Sequence, residues 1–322
     1  MSTQSEKQFC ALCGANDIEF FSRKDAKSRG QLSLMFCNSC GLVQQSKAQS
    51  GNDIVAYYSD HYRLEYKGTK SPKTKHIVRA ATVAQDRLKL LVSVFKTRNQ
   101  LKMAPVLLDV GAGGGEFVYS ARTLGFKASG IEPNIGYSEF ARAQYGIEIR
   151  TQALEDLPTD HYDCITLFHV LEHLPDPLNA IKTLYSALKR DGILMIEVPN
   201  LEQKDASPSN IFFKAHLFYF SQPTLMAALH PYFDPIVVSE KGNLRCILRK
   251  REIPIEFVIP TRETVVSARK KLNSNRWLEY IFVGGGAAKP FYKLIRLVTE
   301  MRDENRSPRE IIDKIIHQSH DT

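Results

Sequence analysis

The stretch Val106-Leu107-Leu108-Asp109-Val110-Gly111-Ala112-Gly113-Gly114-Gly115 decides the fold of this chain. A short apolar run ends in a glycine-rich turn, and residues 116–124 then follow a helical pattern. A strand, a glycine turn and a helix in this order indicate a nucleotide site at the carboxyl end of a parallel strand. Glycine suits the turn because a side chain would hold the ligand away and strain the backbone.

Acidic residues near the turn narrow the kind of nucleotide. The dinucleotide fingerprint needs its third glycine at position 116, where Glu116 would oppose a pyrophosphate. The third glycine is instead Gly115, and Asp109 precedes the first. A second apolar run ends in Glu132-Pro133, and an acid at the end of a second strand can accept both ribose hydroxyls. The pattern therefore excludes a dinucleotide.

The pattern D-x-G-x-G-x-G from Asp109 resembles motif I of the class I S-adenosylmethionine-dependent methyltransferases. Later segments resemble the same family in the same order, namely residues 153–158, 162–169, 168–177 and 192–200. The resemblance implies a Rossmann-like α/β sheet with helices on both faces and S-adenosyl-L-methionine as cofactor. It also implies that Ala153 and Leu154 line the adenine edge. The cofactor-binding set that it implies is Asp109, Gly111, Ala112, Gly113, Gly115, Glu132, Pro133, Ala153, Leu154, Phe168 and His169.

Four of the six cysteines form two C-x-x-C-G knuckles separated by 23 residues. Four thiolates at this spacing can close a tetrahedron around zinc, with no open position for a catalytic water. Two disulfides are the alternative, although nothing in the sequence marks an oxidising compartment. The expected ligands of a structural Zn²⁺ are Cys10, Cys13, Cys37 and Cys40. Cys164 and Cys246 are expected to be buried packing residues.

Charge and hydropathy divide the chain into segments. The net charge of +8 combines +8 over residues 1–100, −7 over 101–240 and +7 over 241–322. The expected organisation is a zinc ribbon at 1–50, a tyrosine-rich connector with a helix at 51–100, a cofactor-binding domain at 101–250 and a basic helical extension at 251–322. Because the sequence has no transmembrane stretch and no secretory leader, we expect a cytoplasmic protein. Nothing in it indicates an oligomeric state.

Several helices outside the cofactor motif can be placed from the pattern. Apolar residues at helical spacing predict a helix over 76–101, and a second helix is expected over 223–229 with Ser221 as its cap. Three C-terminal helices are expected at 268–283, 291–300 and 309–316. Their basic and aromatic residues indicate a solvated packed face, with an interfacial or polyanion-binding surface as the alternative. The four tyrosines between 57 and 66 indicate a packed connector or a lid over the acceptor.

Methyl transfer to a hydroxyl or carbon acid needs a base, and histidine titrates near neutrality. His169 and His173 follow the fourth strand, where Glu172-His173 is expected to begin a helix and to act as a base or anchor the loop. His216 lies in an aromatic run after the fifth strand and is our first choice for the base. We expect Tyr219, three residues later, to orient the acceptor. The predicted catalytic set is therefore His216, Tyr219 and His169.

The segment from about residue 8 to 240 also resembles sugar C-methyltransferases of deoxysugar pathways, which join a zinc ribbon, a tyrosine-rich connector and a methyltransferase domain. That family carries a Glu-His pair after strand five, whereas Ala215 precedes His216 here. The chain also lacks room for that family's third domain. The resemblance implies methylation of a saccharide, a nucleotide sugar or a related small hydroxylated metabolite. RNA methylation, suggested by the basic flanks, and a non-catalytic binding role are the alternatives.

Overall fold

The computed structural model describes residues 8–46, 71–97, 103–152, 154–303 and 305–320. The tyrosine-rich connector and Ala153 lie outside these ranges. The chain divides into two compact units. The first comprises Met1–Ser50, His169–Tyr185 and Ile196–Ala287, and the second comprises Gly51–Phe168, Ser186–Met195 and Ala288–Thr322. Each unit is described by itself.

The strands and helices follow one another along the chain as follows: β1 Ile18–Lys24, β2 Gln31–Cys37, β3 Val43–Gln45, α1 Thr74–Thr97, β4 Val106–Val110, α2 Glu116–Thr123, β5 Lys127–Ile131, α3 Ile135–Tyr145, β6 Ile149–Arg150, β7 Tyr162–Phe168, α4 Pro177–Ala187, β8 Leu188–Val198, β9 Phe218–Tyr219, α5 Gln222–Leu229, β10 Phe233–Ser239, β11 Leu244–Lys250, α6 Arg262–Asn273, α7 Lys289–Arg302 and α8 Pro308–His320. Short 3₁₀ turns occupy Leu154–Asp156, Leu171–His173, Pro208–Asn210 and Gly286–Ala288, and a π turn occupies Glu279–Val283.

The second unit is built on a parallel sheet. Its strands lie in the order β8-β7-β4-β5-β6, and β4 is parallel to both β5 and β7. Leu107 and Leu108 of β4 are fully buried, as expected for a central strand covered on both faces. In this register Asp109 pairs with Gly130 on one side and with Thr166 on the other. The sheet and its flanking helices confirm the predicted Rossmann-like fold class.

The helices of the second unit follow from their sequences. The apolar positions of α1 are buried at helical spacing, and α1 packs against α2, α7 and α8. Asn134 caps α3, because its side chain accepts the Tyr137 amide hydrogen at 3.1 Å. Gly146 ends α3 in the left-handed region, which glycine adopts without strain. None of the helices in the described ranges has both the length and the apolarity to cross a bilayer.

The first unit contains an antiparallel sheet ordered β1-β2-β3-β9. The N-terminal meander supplies its strands β1, β2 and β3, and β9 comes from the segment after β8. Val43 pairs with Tyr219, and Gln44 pairs with Phe218. An apolar core underlies this sheet, formed by Leu32, Leu34, Phe36, Val43, Leu201, Ile211, Phe212, Tyr219, Val265 and Ala268.

The remaining strands of the first unit are β10 and β11, which form an antiparallel pair. Cys246 in β11 and Cys164 in β7 of the second unit are fully buried and free, which confirms the prediction that both are packing residues. Ser221 is the N-cap of α5 as predicted, and its backbone N–H donates to Thr224 Oγ1 at 2.9 Å.

Two expectations about helices are wrong. The predicted helix over 268–283 ends at Asn273, and the Ser274 hydroxyl then donates to the Lys271 carbonyl. Asn and Ser compete for backbone hydrogen bonds and so favour a helix end. Glu172-His173 does not begin a helix but lies in the 3₁₀ turn Leu171–His173, because Pro175 and Pro177 delay the start of α4.

Candidate cofactor and acceptor sites

The glycine turn of the second unit has the backbone that the sequence predicts. Gly111, Gly113 and Gly115 all have positive φ, at 73°, 56° and 86°. The amides of Gly111 and Ala112 donate to the Ile131 carbonyl at 2.9 and 3.0 Å, which fixes the turn at the end of β5. A Cβ on Gly115 would lie 2.8 Å from Ala141 Cβ, so this glycine also permits close packing.

Glu132 faces the turn from the end of β5. One carboxylate oxygen accepts the Gly113 amide hydrogen at 2.8 Å, and the other accepts that of Asn134 at 3.1 Å. The side chain is thus buried and fixed beside the glycine turn. A carboxylate offers about four lone-pair directions, so ribose hydroxyls can bind in addition to these amides. The turn and this acid therefore fit the nucleoside part of S-adenosylmethionine.

Asp109 lies inside the sheet rather than on a solvent-facing loop. Its carboxylate accepts the Thr166 hydroxyl hydrogen at 2.6 Å. Burial raises the pKa of Asp109 to about 7, against the opposing effects of the Thr166 hydrogen bond and the Arg87 charge. Of the other predicted residues in this unit, Leu154 is buried, and Pro133 and Phe168 are half-buried.

Sequence reasoning missed two side chains beside Phe168. The Arg87 guanidinium of α1 lies 3.9 Å from the centroid of the Phe168 ring, and Phe117 packs edge-on against the same ring at 4.9 Å. Because the Arg87 charge also acts on Asp109, it brings a cation to the carboxyl ends of β4 and β7. An arginine within a long amphipathic helix gives no indication in the sequence that its guanidinium will lie beside Asp109 and Phe168.

A groove elsewhere in the second unit is not the candidate site. Val106, Lys127 and Tyr162 line it, and they begin β4, β5 and β7. Ligands of open α/β sheets bind outside the carboxyl ends of the strands, which is the opposite edge. The glycine turn and Glu132 lie at that carboxyl edge.

The first unit holds the acceptor-side candidates in one cluster around the buried Glu172. Glu172 lies between three histidines, with Nδ1 of His169 at 3.5 Å and Nε2 of His173 at 3.8 Å from Glu172 Oε1. The rings of His173 and His216 meet edge-on with centroids 4.9 Å apart. His173 Nδ1 donates to the Ala215 carbonyl at 2.8 Å, so its Nε2 faces Glu172. The structure thus brings His169, His173 and His216 together around one carboxylate.

The same cluster contains three side chains that could ligate a cation. One ligating atom each of Glu172, His173 and His216 lies within 4.8 Å of the other two. Neither Glu172 oxygen has a hydrogen-bond donor, and the buried Nδ1 of His216 has no hydrogen-bond partner.

The three histidines differ in protonation. Burial disfavours the charged form of His169, but the carboxylates of Glu172 and Glu197 beside its ring outweigh burial and raise its pKa to about 9. Burial and the charge of His173 lower the pKa of His216 to about 3, with Glu172 opposing. Burial would raise the pKa of Glu172, but its histidine neighbours lower it to about 2. At neutral pH His169 is therefore an imidazolium, and His216 is a neutral imidazole.

His169 is held in place by Glu197 of β8 and by Asn243, which precedes β11. Its φ is +57°, an uncommon conformation for a residue other than glycine, and its amide donates to the Glu197 carbonyl at 2.8 Å. Asn243 Nδ2 donates to Glu197 Oε1 at 2.9 Å and lies 3.2 Å from His169 Nε2. Arg245 Nε donates to the other Glu197 oxygen at 2.8 Å. Sequence reasoning missed Glu197, Asn243 and Arg245, because only the folded sheet brings them to His169.

Hydrogen bonds hold the loop that carries His216 against the N-terminal meander. Gln45 Nε2 donates to the carbonyls of Lys214 and His216, both at 2.7 Å. The Lys214 amide donates to Asp25 Oδ1 at 2.7 Å. The predicted acceptor-orienting residue, Tyr219, is buried, and its hydroxyl donates to the Phe213 carbonyl at 2.8 Å. The Tyr219 hydroxyl therefore fixes the shape of this loop.

The four ribbon cysteines converge on one point. Cys10 Sγ lies 3.5 Å from Cys40 Sγ, Cys13 Sγ lies 3.6 Å from Cys37 Sγ, and all four sulfurs lie within 4.8 Å of one another. Disulfide bonding needs about 2.05 Å, whereas the edge of a zinc–thiolate tetrahedron is roughly 3.8 Å. All four are free cysteines. The donor set and its spacing fit a tetrahedral metal better than two disulfides.

The parallel sheet, the glycine turn and Glu132 fit the Rossmann-like fold of the S-adenosylmethionine-dependent methyltransferases. The sequence model of the family described as "Methyltransferase domain" matches residues 78–232. Over these residues the chain is similar to that family.

Curated proteins similar to the chain are methyltransferases. The ubiquinone biosynthesis O-methyltransferase of Haemophilus ducreyi is 33% identical over 106 residues, covering 29% of this chain and 45% of that protein. The protein of the same name from Xanthomonas campestris is 27% identical over 183 residues, covering 54% of this chain and 73% of that protein. The chain thus spans about half the length of the Haemophilus relative.

A solved structure with similarity to the chain is the 1,6-didemethyltoxoflavin-N1-methyltransferase of Burkholderia thailandensis. It has a TM-score of 0.45 and 15% sequence identity, and the match covers 66% of this chain and 96% of that one.

Proposed function

We propose that this protein transfers a methyl group from S-adenosylmethionine to a hydroxyl of a small metabolite, a saccharide or nucleotide sugar. Each unit supplies one supporting observation, namely the nucleoside site at the glycine turn and Glu132 in the second unit and the histidine cluster around the buried Glu172 in the first. The names of the curated relatives, which are O-methyltransferases, support oxygen as the acceptor atom.

The donor would be held by residues of the second unit. Glu132 would accept ribose hydroxyls, and Leu154 would line the adenine edge. The glycine turn gives the ligand close access to the backbone, since its positive φ values favour glycine, which has no side chain. We further propose that Arg87 binds the carboxylate of the amino acid end. When bound, S-adenosylmethionine supplies a methyl group already activated by its sulfonium.

The acceptor proton would pass to His216. As the acceptor oxygen bonds to the methyl carbon, the carbon–sulfur bond breaks, sulfur takes the electron pair, and the hydroxyl proton moves to the imidazole. His216 is neutral at neutral pH, so its imidazole can accept a proton, and the charge of Glu172 beside it raises its pKa against the effect of burial. Glu172 stabilises the imidazolium that forms. His169, already charged, is proposed to orient the acceptor, and Tyr219 to hold the His216 loop through its hydrogen bond to the Phe213 carbonyl.

Zinc would close the ribbon through Cys10, Cys13, Cys37 and Cys40. Its role would be structural, because four thiolates leave no coordination position for a substrate. The hydrogen bonds from Gln45 and to Asp25 connect the ribbon to the His216 loop. The ribbon would therefore set the position of the proposed base.

A methyl-transfer assay tests this function. Full-length protein is incubated with methyl-labelled S-adenosylmethionine and a panel of nucleotide sugars, free saccharides and hydroxylated aromatic metabolites, and products are separated by mass spectrometry. We expect a singly methylated, labelled product from the saccharide group. Label only in the aromatic group would replace the proposed acceptor class, and label only in added RNA would replace it with the nucleic-acid alternative.

A further inference from the structure

The groove at the amino ends of β4, β5 and β7 in the second unit is lined by more cations than acids. Its volume of about 670 Å³ is in the usual range of small-molecule sites. Of the described residues that line it, the charged ones, leaving histidine aside, are Arg122, Lys127, Arg150 and Glu148. Three cations and one acid leave a net charge of +2, although residues 101–240 as a whole carry −7. The groove therefore differs in charge from its surroundings.

Arg150 lines this groove with a guanidinium that is only partly used. Its Nη2 donates to the Tyr162 hydroxyl at 3.1 Å. Its Nε is buried and has no hydrogen-bond partner within the described ranges. Glu148 Oε1 lies 3.7 Å from this Nε, too far for a hydrogen bond, and both side chains are more than a third exposed, so the ion pair contributes little. A buried donor without an acceptor costs free energy, and an anion bound by Arg150 would supply that acceptor.

Arg122 and Lys127 add positive charge to the groove. Arg122 Nε donates to the Ala128 carbonyl at 2.7 Å, which fixes this side chain beside the groove. Neither cation forms an ion pair with any residue that the structure describes. Asp163, which accepts the first amide hydrogen of β4 beside the groove, is paired with Lys189 at 3.0 Å. The charges of Arg122 and Lys127 are therefore available to an anion.

The groove also has an apolar and aromatic floor. Phe126 and Tyr162 are buried, and Phe126 is held by an edge-on contact with Phe95, with ring centroids 5.3 Å apart. Val106 and Pro158 line the same groove. A free inorganic anion would leave this floor in contact with water, whereas a ligand with an apolar group would cover it. The lining therefore fits an anion that is attached to an apolar body.

We propose that this groove binds a phosphate monoester that carries an aromatic or other apolar group. Such a phosphate has a charge of about −1.5 to −2 at neutral pH, which matches the net charge of the lining. The guanidinium groups of Arg122 and Arg150 can donate hydrogen bonds to its oxygens, and Lys127 adds a point charge. The groove lies at the edge of the sheet opposite the glycine turn, so its ligand is not the methyl donor. This inference is independent of the proposed methyl transfer.

Equilibrium dialysis of the full-length protein against phenyl phosphate tests the inference. We expect saturable binding whose affinity is the same with and without excess S-adenosylhomocysteine. Inorganic phosphate, which lacks the ring, and benzoate, which has a single charge, should each compete on the order of tenfold more weakly. The dialysis without S-adenosylhomocysteine tests the groove even if the proposed methyl donor does not bind.

Three results of this experiment would overturn the inference. The first is no binding of phenyl phosphate by the wild-type protein. The second is displacement of phenyl phosphate by S-adenosylhomocysteine, which would place the anion in the nucleoside site. The third is competition by benzoate as strong as that of unlabelled phenyl phosphate, which would show that the site does not select a phosphate.

Two variants locate the site. Arg150→Gln should weaken phenyl phosphate binding on the order of tenfold or more, because the phosphate loses charged hydrogen bonds. Lys127→Gln should weaken it about threefold and reduce its salt dependence, since an exposed point charge is lost. Lys89→Gln is the matched control, because it removes an exposed lysine of α1 that does not line the groove. The control should bind phenyl phosphate like the wild type.

Thermal melting verifies that each variant is folded, and the exposed Lys127 can be replaced without disturbing a side-chain hydrogen bond within the described residues. Wild-type affinity in both Arg150→Gln and Lys127→Gln would contradict the assignment to this groove. A loss in Lys89→Gln equal to that in Lys127→Gln would also contradict it, because binding would then depend on the overall charge of the protein.

Discussion

His169, His173 and His216 lie in different electrostatic environments within the first unit. His169 lies between two carboxylates and holds a proton at neutral pH, whereas His216 is buried beside His173 and stays neutral. An imidazolium and a neutral imidazole around one glutamate can divide the work of orienting an acceptor and removing its proton. Sequence spacing alone does not distinguish these roles, because neighbours distant in sequence set the pKa values.

His216→Gln tests the base assignment. We expect kcat to fall by about 10²- to 10⁴-fold, the usual contribution of a positioned general base, with S-adenosylhomocysteine affinity changed by less than about twofold. His317→Gln, in the exposed part of α8, is the control and should retain full turnover. Unchanged turnover in His216→Gln would remove this residue from the mechanism.

His169 should make stability depend on pH. Its pKa rises from 6.5 in the unfolded chain to about 9 in the folded one, so its stabilising contribution is complete below pH 6.5 and is lost as pH rises to 9. The side chain is 39% exposed, so solvent reduces the size of the effect. Urea unfolding at pH 6.5 and 9 should show a smaller loss of unfolding free energy in His169→Gln than in the wild type. Parallel losses in the two proteins would contradict the assigned pKa.

At the scale of secondary-structure elements, the sequence predicts the region around the glycine turn best. The order strand, turn, helix and acid-ended second strand is present as expected, because each step depends on local backbone rules. Gly115→Ala should cost about 3 kcal/mol, combining a left-handed φ with clashes against Ala141 and Ile147. Gly125→Ala has a similar φ but open space around its Cβ, so it should cost only roughly 1–2 kcal/mol. Chemical denaturation measures both, and equal costs would refute the packing role of Gly115.

Other elements could not be predicted because their causes are tertiary. Gln45 holds the carbonyl of His216 from 171 residues away, and no local pattern encodes that contact. The strand β9 is two residues long and exists because β3 pairs with it. The helix expected over 268–283 failed for a local reason, since the Asn273-Ser274-Asn275 run ends α6 despite continuing apolar spacing. The positive φ of His169 likewise could not be predicted, because no local sequence pattern indicates it.

At the scale of the whole molecule, zinc binding by the four cysteines should be required for full stability and full turnover. Metal analysis should find about one zinc per chain, and chelation or Cys40→Ser should lower the melting temperature and reduce kcat. S-adenosylhomocysteine affinity should change much less, because its proposed contacts lie in the second unit while the cysteines lie in the first. Gln45→Ala, which keeps the cysteines, should reduce kcat without releasing zinc. Full activity after complete zinc removal would contradict the expected dependence of turnover on zinc.

The central claim is that the second unit binds S-adenosylmethionine through the glycine turn and Glu132. Isothermal titration calorimetry with S-adenosylhomocysteine, the demethylated product, tests it most directly in the wild type and in Glu132→Ala. We expect one site per chain in the wild type and binding weakened on the order of tenfold or more in the variant, because the ribose hydroxyls lose charged hydrogen bonds. An absence of binding heat in the wild type at several temperatures, or unchanged affinity in Glu132→Ala, would contradict the account.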